Sequence, residues 1–300
     1  MPRQGTIDDA YAIGRIAYAI VDLDPKRAEE EVRTILSAPL ALSTVVVQGL
    51  AKETQKIVAV MNGVLLRPWF SEQLLERNTP YFHIQVREAE KSPFPNLPEI
   101  AAANAGEGLD LFLAHLSVDI GLEDVDATRV RTALLNAFVE QYAGNRIRSI
   151  LVETVGWENS ATAIQAGFEV LTTYPEWRAA NGVLERDGPH LLQITLERAM
   201  QIQNFHSARM LQYRPPTIRF PQGAQELLRF AMRGYSDTEI ASLPGFTETS
   251  VASAWTRILT RAKGALPDLF RSSPSGGKSK DRLALLAYLR QYPEELWPYG

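Results

Sequence analysis

The sequence predicts an α+β domain followed by a small all-α domain. Over residues 1–212, Val- and Ile-rich runs alternate with amphipathic segments, a pattern typical of a sheet with flanking helices. Residues 222–271 carry helical periodicity instead. Between the two, residues 213–221 include three prolines, which disfavour both helix and central strand, so we interpret them as a linker. Residues 272–280 are small and polar and predict a second, flexible linker before a tail at 281–300.

The composition is that of an ordinary soluble globular protein, with 45% hydrophobic and 22% charged residues among 300. No apolar run is long enough for a membrane helix, so we expect a cytoplasmic protein that has no membrane partner. The chain has no cysteine, which excludes disulfides, thiolate metal sites and thiol nucleophiles. Its four histidines are far apart in sequence, so no metal site is expected.

The charge differs between the two parts of the chain. Residues 1–200 have 18 basic and 27 acidic side chains, whereas residues 201–300 have 13 basic and 8 acidic ones. A modestly basic terminal domain behind an acidic one is compatible with nucleic-acid binding. The two parts are therefore expected to meet different partners.

The elements of the first domain follow from hydrophobic spacing. Apolar residues three and four apart after Asp8 predict a first helix, and those from Val130 to Tyr142 predict a strongly amphipathic one. A short helix is expected near Ser160 to Gln165. The β-rich ranges are 43–49 and 56–66, read as a hairpin around the polar residues 52–55, then 111–118, 147–154, 169–174 and 190–196.

This order of elements, with Thr6–Ala10 at the first helix and a closing Asn159-Ser160-Ala161 and Gly167-Phe168, resembles the Gcn5-related N-acetyltransferase (GNAT) family over about 190 residues. The resemblance implies a mixed sheet with flanking helices and a cleft between splayed strands. It also implies a glycine-rich loop that holds the diphosphate of acetyl-coenzyme A at a helix N-terminus.

The residues aligned with that loop argue against the cofactor. The three loop glycines are replaced by Ala127, Arg129 and Arg131, and Asp126 stands where the family has arginine. Arg129 and Arg131 could hold phosphates through their side chains, but a solvated first turn of a helix is the favoured interpretation. We therefore predict no cofactor, with acetyl-coenzyme A as the disfavoured alternative.

No catalytic residue is predicted either. The tyrosine that often serves as general acid in the family aligns near Ala163, which leaves Tyr174 or Tyr142 as the only substitutes. His115 and Glu153 could face a cleft, but a lone histidine among apolar neighbours is more often part of a core. The sequence thus favours a catalytically inactive acetyltransferase-like domain that binds a ligand, a partner or a second copy.

The second domain has the punctuation of a helix-turn-helix. Gly234 ends one helix, Ser236 and Glu239 form a capping box for the next, and Pro244-Gly245 makes the turn. Thr247 or Thr249 then caps a third helix. Its apolar stripe is Val251, Ala254, Trp255, Ile258 and Ala262.

Over about 45 residues this segment resembles the LuxR/GerE-type helix-turn-helix, a pattern that region four of sigma factors largely shares. The matching residues are Gly234, Ser236, Glu239, Ile240, Ala241, Val251 and Ile258. The resemblance implies that the third helix enters the major groove of double-stranded DNA. The DNA-binding residues would be Thr249, Ser250, Ala252, Ser253, Arg257, Arg261 and Lys263. Protein binding by the same motif is the alternative.

The tail is predicted to form a short amphipathic helix that docks onto its own chain or across a homodimer, with RNA polymerase or another protein as an alternative partner. Its apolar residues are Leu283, Leu286, Ala287, Leu289 and Trp297. Taken together, the sequence predicts a dimeric transcription regulator. The alternatives are an active N-acetyltransferase that uses acetyl-coenzyme A and a protein-binding adaptor.

Overall fold

The computed structural model describes residues 2–4, 6–17, 24–37, 42–48, 56–77, 79–119, 123–202, 208–271 and 278–300. The chain divides into two compact units. Unit 1 comprises Met1–Glu99, Gly108–Tyr142 and Ile147–Gln212, and unit 2 comprises Ile100–Glu107, Ala143–Arg146 and Tyr213–Gly300. Among the helices in the described ranges, none is long and apolar enough to span a membrane.

Unit 1 is built on one seven-stranded mixed sheet in the order β1-β2-β3-β4-β5-β7-β6. The strands are β1 (Pro2–Gln4), β2 (Leu42–Gln48), β3 (Lys56–Leu66), β4 (Leu109–Val118), β5 (Ile147–Val155), β6 (Glu169–Thr172) and β7 (Pro189–Thr195). β4 and β5 are parallel, and every other neighbouring pair is antiparallel. This sheet, with helices on its faces, confirms the predicted α+β fold of the first domain.

The helices of unit 1 flank this sheet. They are α1 (Ala10–Ala17), α2 (Pro25–Leu36), α3 (Pro68–Glu76), α4 (Phe82–Glu88), α5 (Leu97–Ala105), α6 (Asp124–Tyr142), α7 (Trp157–Gln165), α8 (Pro175–Asn181), α9 (Leu196–Gln201) and α10 (Ala208–Leu211). One of them, α5, is divided between the two units, since its residues from Ile100 onward belong to unit 2. The predicted strands and the predicted helices α1, α6 and α7 are present. The polar turn expected at residues 52–55 lies outside the described residues.

The two faces of the sheet are covered by different helices. α6 lies on one face, where a Cβ atom at Gly63 would come within 2.8 Å of Phe138 and Tyr142. Val64 points to the opposite face, because successive strand residues alternate. There it belongs to a buried cluster with Phe82 of α4 and two residues of α3, and Trp177 of α8 packs against this cluster. Residues 67–105 of this chain, rich in proline and asparagine, thus supply three helices, two of which help to build the core.

Unit 2 contains the segment that the sequence predicted to be a helix-turn-helix. Its helices are α11 (Gln222–Met232), α12 (Asp237–Ala241), α13 (Glu248–Ala265), α14 (Asp268–Arg271) and α15 (Lys278–Gln291). Ser236 and Glu239 form the expected capping box. Of the two candidate caps for α13, Thr247 is the one used, since its side chain accepts the Ser250 N–H.

Residues 213–221 form an ordered strap in unit 2. Ile218 and Phe220 are buried. The carboxylate of Glu295 accepts the backbone N–H groups of Thr217, Ile218 and Arg219 at 2.7–3.1 Å. The strap is therefore held by charge-assisted hydrogen bonds as well as by apolar burial. The second predicted linker falls mostly on residues 272–277, outside the described residues, and its last three residues belong to α15.

The tail packs within its own unit, on a face that partly matches the one predicted from the sequence. Leu285 and Leu289 are fully buried, whereas Leu283 is 65% exposed and Ala287 is exposed. The buried face of α15 also includes Asp281, which pairs with Lys263 of α13. Of the five apolar residues that the sequence named, Leu289 and Trp297 are buried inside unit 2.

Candidate functional site

The sheet of unit 1 opens between its two parallel strands. The β4–β5 ladder runs from Leu109 opposite Ile147 to Leu113 opposite Val152, and there the pairing ends. Both strands continue beyond this point, β4 to Val118 and β5 to Val155. Residues 114–118 and 153–155 therefore flank an opening in the sheet.

A β-bulge on β4 coincides with the start of this opening. Asn62 of β3 lies opposite His115, and the next residue, Gly63, lies opposite Leu113. Ala114 is the extra residue and has no opposite partner in the β3–β4 register. A bulge bends its strand and locally disrupts the ladder, so it accounts for the divergence of β4 from β5.

His115 lies on β4 directly after the bulge, and its side chain is buried. Its Nδ1 lies 3.1 Å from the side-chain nitrogen of Asn62, so it accepts a hydrogen bond from that amide. Burial, with a smaller contribution from the nearby His83, lowers the pKa of His115 to about 3. The ring is therefore neutral near pH 7.

Glu153 stands on the β5 side of the opening. Its carboxylate accepts the backbone N–H groups of Tyr81 at 2.8 Å and of Phe82 at 2.9 Å, and the hydroxyl of Tyr174 also donates to it. Burial raises the pKa of Glu153, although these hydrogen bonds partly offset the effect. The side chain of Glu153 is half-buried, and its raised pKa makes the carboxylate a stronger base.

Two strained residues hold this carboxylate. Tyr81 and Tyr174 have left-handed backbone conformations with φ of 73° and 49°. Residues other than glycine rarely adopt this region, and such strain is concentrated at functional sites. The Tyr174 hydroxyl has a raised pKa because it is buried beside Glu153, so it remains protonated and able to donate.

A cavity of about 400 Å³ lies between α2 and α4. Phe82 lines this cavity and donates its backbone N–H to the carboxylate of Glu153. The sequence interpretation did not include α2 or this cavity. The available signal was Asp24-Pro25, an N-cap followed by proline at the first helical position.

The segment aligned with the diphosphate loop is helical. α6 begins at Asp124, and the N–H of Ala127 already donates to the carbonyl of Glu123 at 2.8 Å. The backbone amides of Arg129 and Arg131 therefore lie inside the helix and are used by its own hydrogen bonds. Both arginine side chains are exposed, and that of Arg129 lies 3.9 Å from Asp126. The two aligned amides are thus unable to hold the coenzyme diphosphate.

The two candidate tyrosines differ in position. Tyr142 is fully buried and its hydroxyl donates to the carbonyl of Gly63, on the face covered by α6. Tyr174 contacts Glu153 at the opening. Tyr174 is therefore the tyrosine placed to take part in chemistry there, and Tyr142 has a packing role.

The proposed DNA-binding residues separate into two groups in unit 2. Thr249, Ala252, Ser253 and Arg257 are exposed and recur at helical spacing along one face of α13.

The remaining three DNA-binding candidates have structural contacts. Ser250 completes the cap of α13, and Arg261 donates to the carbonyl of Ile218 at 3.0 Å. Lys263 pairs with the buried Asp281 at 2.6 Å. These side chains are therefore already engaged within unit 2.

Comparisons with known proteins give matches to solved structures only. No family model and no curated protein matches the chain. FeeM, an N-acyl amino acid synthase from uncultured soil microbes, matches with 14% identity over 69% of this chain and 96% of that one, with a TM-score of 0.38. NAA60 of Arabidopsis thaliana in complex with acetyl-CoA matches with 12% identity over 66% and 98% and a TM-score of 0.40.

A mutant of the spermidine N-acetyltransferase SpeG from Vibrio cholerae matches with 9% identity over 65% of this chain and 94% of that one, with a TM-score of 0.36. Identities and TM-scores this low give no basis for assigning an activity to this chain. The fold therefore rests on the strand order and on the β4–β5 opening described above.

Proposed function

We propose that unit 1 is an acyltransferase whose active site is the opening between β4 and β5. The observation that carries this proposal is the end of the β4–β5 ladder at Leu113 and Val152 while both strands continue. An extended substrate arm that contains amide groups could pair with these strand edges, as an added strand does in a sheet. At the bulge, the N–H of Ala114 is a candidate donor to a carbonyl oxygen that gains negative charge.

Glu153 supplies the proton transfer in this proposal. An amine that attacks the thioester carbon loses a proton as the new C–N bond forms, while the C–S bond breaks and the leaving thiolate takes up a proton from water. The raised pKa of Glu153 makes it a better base than an exposed carboxylate. Tyr174 keeps its proton and holds Glu153 in place.

The donor is not anchored as in the family that the sequence resembles. At positions 129 and 131 the backbone amides belong to α6, and Asp126 adds negative charge nearby. We therefore expect the acyl donor to be recognised through its thioester arm, with little contribution from a diphosphate at these positions.

A thiol-release assay tests this proposal. The chain has no cysteine, so a thiol reagent detects only the released thiol and gives no protein background. Acetyl and hexanoyl thioesters of coenzyme A and of N-acetylcysteamine, which has no diphosphate, would be offered with 2-phenylethylamine and with aliphatic amines. We expect turnover with both thioester series, and a loss of about 10²-fold or more in Glu153→Gln.

The matched control is Glu158→Gln, which changes an exposed carboxylate five positions along the chain. Because Glu153→Gln could disturb α4, Tyr174→Phe provides a second variant that keeps the ring and removes only the hydroxyl. Absence of thiol release with every donor, or unchanged rates in Glu153→Gln, would refute the acyltransferase proposal.

A second candidate function, favoured by the exposed face of α13, is DNA binding by unit 2. This face carries four exposed residues, Thr249, Ala252, Ser253 and Arg257. The first three have side chains small enough for close approach to the edges of the bases. In this proposal a cytoplasmic homodimer binds a regulatory DNA site, as the LuxR/GerE resemblance implies, and unit 1 supplies ligand-dependent control.

Selection from a random duplex library at physiological salt tests DNA binding. Arg257→Ala is the variant of choice, because Arg261 also bonds the strap and its loss would disturb unit 2. Arg271→Ala, at an exposed arginine of α14, is the matched control. Enrichment of one motif that is lost only in Arg257→Ala supports DNA binding, and no enrichment refutes it.

A further inference from the structure

One peptide group of the strap is held from two sides within unit 2. Between Ile218 and Arg219, the carbonyl oxygen accepts a hydrogen bond from Arg261 of α13 at 3.0 Å, and the N–H donates to Glu295 at 3.1 Å. Glu295 is almost fully buried and also accepts the N–H groups of the two preceding residues. The backbone at Arg219 is therefore fixed next to α13.

Arg219 is strained in the position where it is held. Its φ is 56°, in the left-handed region that glycine adopts readily and other residues rarely do. Its side chain is exposed, and the Cζ atom lies 4.9 Å from the centre of the Tyr299 ring. Core packing does not account for the strain, because the side chain is not buried. Strain of this kind is concentrated at functional positions.

Arg219 belongs to a row of three arginines. Arg261 bonds the peptide group that precedes Arg219, and Arg257 lies one turn earlier on the same face of α13, about 6 Å along the axis. All three side chains are exposed, and none is in an ion pair with any described residue. Three other cations of unit 2 do have carboxylate partners, and these pairs are Lys263–Asp281, Arg271–Asp268 and Arg282–Asp237. The row is thus a site of uncompensated positive charge.

The surface of α13 next to this row is small and polar. This helix, which is described in full, exposes no apolar side chain larger than alanine, and its only acidic residue is Glu248 in the first turn. The core of a protein interface is rich in aromatic and other large side chains. A phosphate backbone needs no apolar contact, and guanidinium groups pair with phosphate oxygens in a bidentate geometry. The surface therefore favours a nucleic acid over a protein partner.

We propose that Arg219 of the strap, together with Arg257 and Arg261, forms a surface that binds the phosphate backbone of duplex DNA. The inference rests on the DNA binding proposed above for unit 2, and it adds a contact that does not depend on base sequence. Arg219 is the new member, because the sequence interpretation placed it in a linker. Each arginine that neutralises a phosphate releases counterions, so this binding weakens with salt.

Fluorescence anisotropy of the full-length protein with a labelled duplex of mixed sequence tests the proposal. Affinity is measured from about 50 to about 200 mM salt. Loss of one phosphate contact lowers the slope of log affinity against log salt by about 1. We expect this change in Arg219→Gln, so that the advantage of the wild type shrinks about 3-fold to 4-fold over this salt range. An unchanged slope would overturn the proposal.

The matched control is Arg271→Gln, which removes an exposed arginine of α14 that is paired with Asp268. Its slope should equal that of the wild type. Arg219→Lys keeps the charge and should also keep the slope. Equal losses in Arg271→Gln and Arg219→Gln would show attraction by net charge alone and refute a specific surface.

Arg219→Gly separates binding from folding. Glycine adopts a φ of 56° without strain, so the urea midpoint of this variant should equal or exceed that of the wild type. Its salt slope should nevertheless fall as in Arg219→Gln. A folded glycine variant with the slope of the wild type would contradict a role for the Arg219 side chain.

Competitors test the assignment of the partner. Unlabelled duplex should displace the labelled duplex at lower concentration than single-stranded DNA of the same length or polyglutamate. Stronger competition by polyglutamate would assign the surface to an acidic protein, and stronger competition by the single strand would exclude a duplex-binding surface. Either result would overturn the proposal.

The two experiments on unit 2 fail in different ways. A reduced slope in Arg219→Gln without enrichment of a motif would refute sequence-specific regulation and leave the phosphate-binding surface standing. Enrichment of a motif with an unchanged slope in Arg219→Gln would do the reverse. No duplex binding at about 50 mM salt would refute both proposals.

Discussion

Replacing His115 should remove a large part of the acid sensitivity of unit 1. The ring is buried beside Asn62 and His83 and its pKa is lowered to about 3, from 6.5 in an exposed histidine. Below pH 6.5 the unfolded chain therefore takes up a proton that the folded protein does not. Stability contributed by the neutral ring is present above pH 6.5 and is lost as the pH falls.

The size of this effect follows from the two pKa values. At about pH 5, protonation of His115 stabilises the unfolded chain relative to the folded protein by about 2 kcal/mol. At about pH 7.5 this stabilisation is close to zero. The pKa values of His83 and His190 are also lowered, so the wild type should lose more than this amount.

Urea unfolding of the wild type and of His115→Gln, each at about pH 5 and pH 7.5, measures the His115 share. Glutamine can still accept the Asn62 hydrogen bond but does not titrate. The pH-dependent loss of unfolding free energy should be about 2 kcal/mol smaller in the variant. Parallel losses in the two proteins would show that His115 is protonated in the folded state, and the reasoning would fail.

Three further substitutions test the packing and capping described above. Gly63→Ala should cost about 2 kcal/mol in urea unfolding, because the added methyl group would lie 2.8 Å from Phe138, and an unchanged midpoint would contradict the packing of α6 on β3. Glu295→Ala should cost about 3 kcal/mol or more and expose the strap to limited proteolysis, since three backbone N–H groups lose their acceptor; resistance equal to the wild type would argue against the clamp. Thr247→Ala should cost about 1 kcal/mol in the same assay, the usual loss for an N-cap, whereas Thr249→Ala should change little.

Local signals in the sequence predicted the local structure well. The capping box of Ser236 and Glu239 marked the start of α12, and runs rich in Val and Ile marked the strands. Such signals depend on residues a few positions apart, so one sequence is enough to identify them. The same reasoning predicted the order of elements in unit 1.

The site could not be predicted in the same way. The carboxylate of Glu153 bonds the N–H of Tyr81, 72 positions earlier, and nothing local to either residue indicates that contact. The strained φ angles of Tyr81 and Tyr174 are likewise properties of the folded chain. The cavity between α2 and α4 forms only when α4 is placed opposite α2.

The start of α6 shows that an alignment of one loop does not by itself decide function. The absence of glycine at 127, 129 and 131 predicts an inactive domain only together with the missing tyrosine near Ala163, because the glycines bear only on how a diphosphate would be held. The opening between β4 and β5 depends on separate features, the bulge at Ala114 and the diverging strands. A chain can lose the first set of features and keep the second, because no residue of the bulge belongs to the loop. For this reason the opening is a better guide to what unit 1 does than the missing motif.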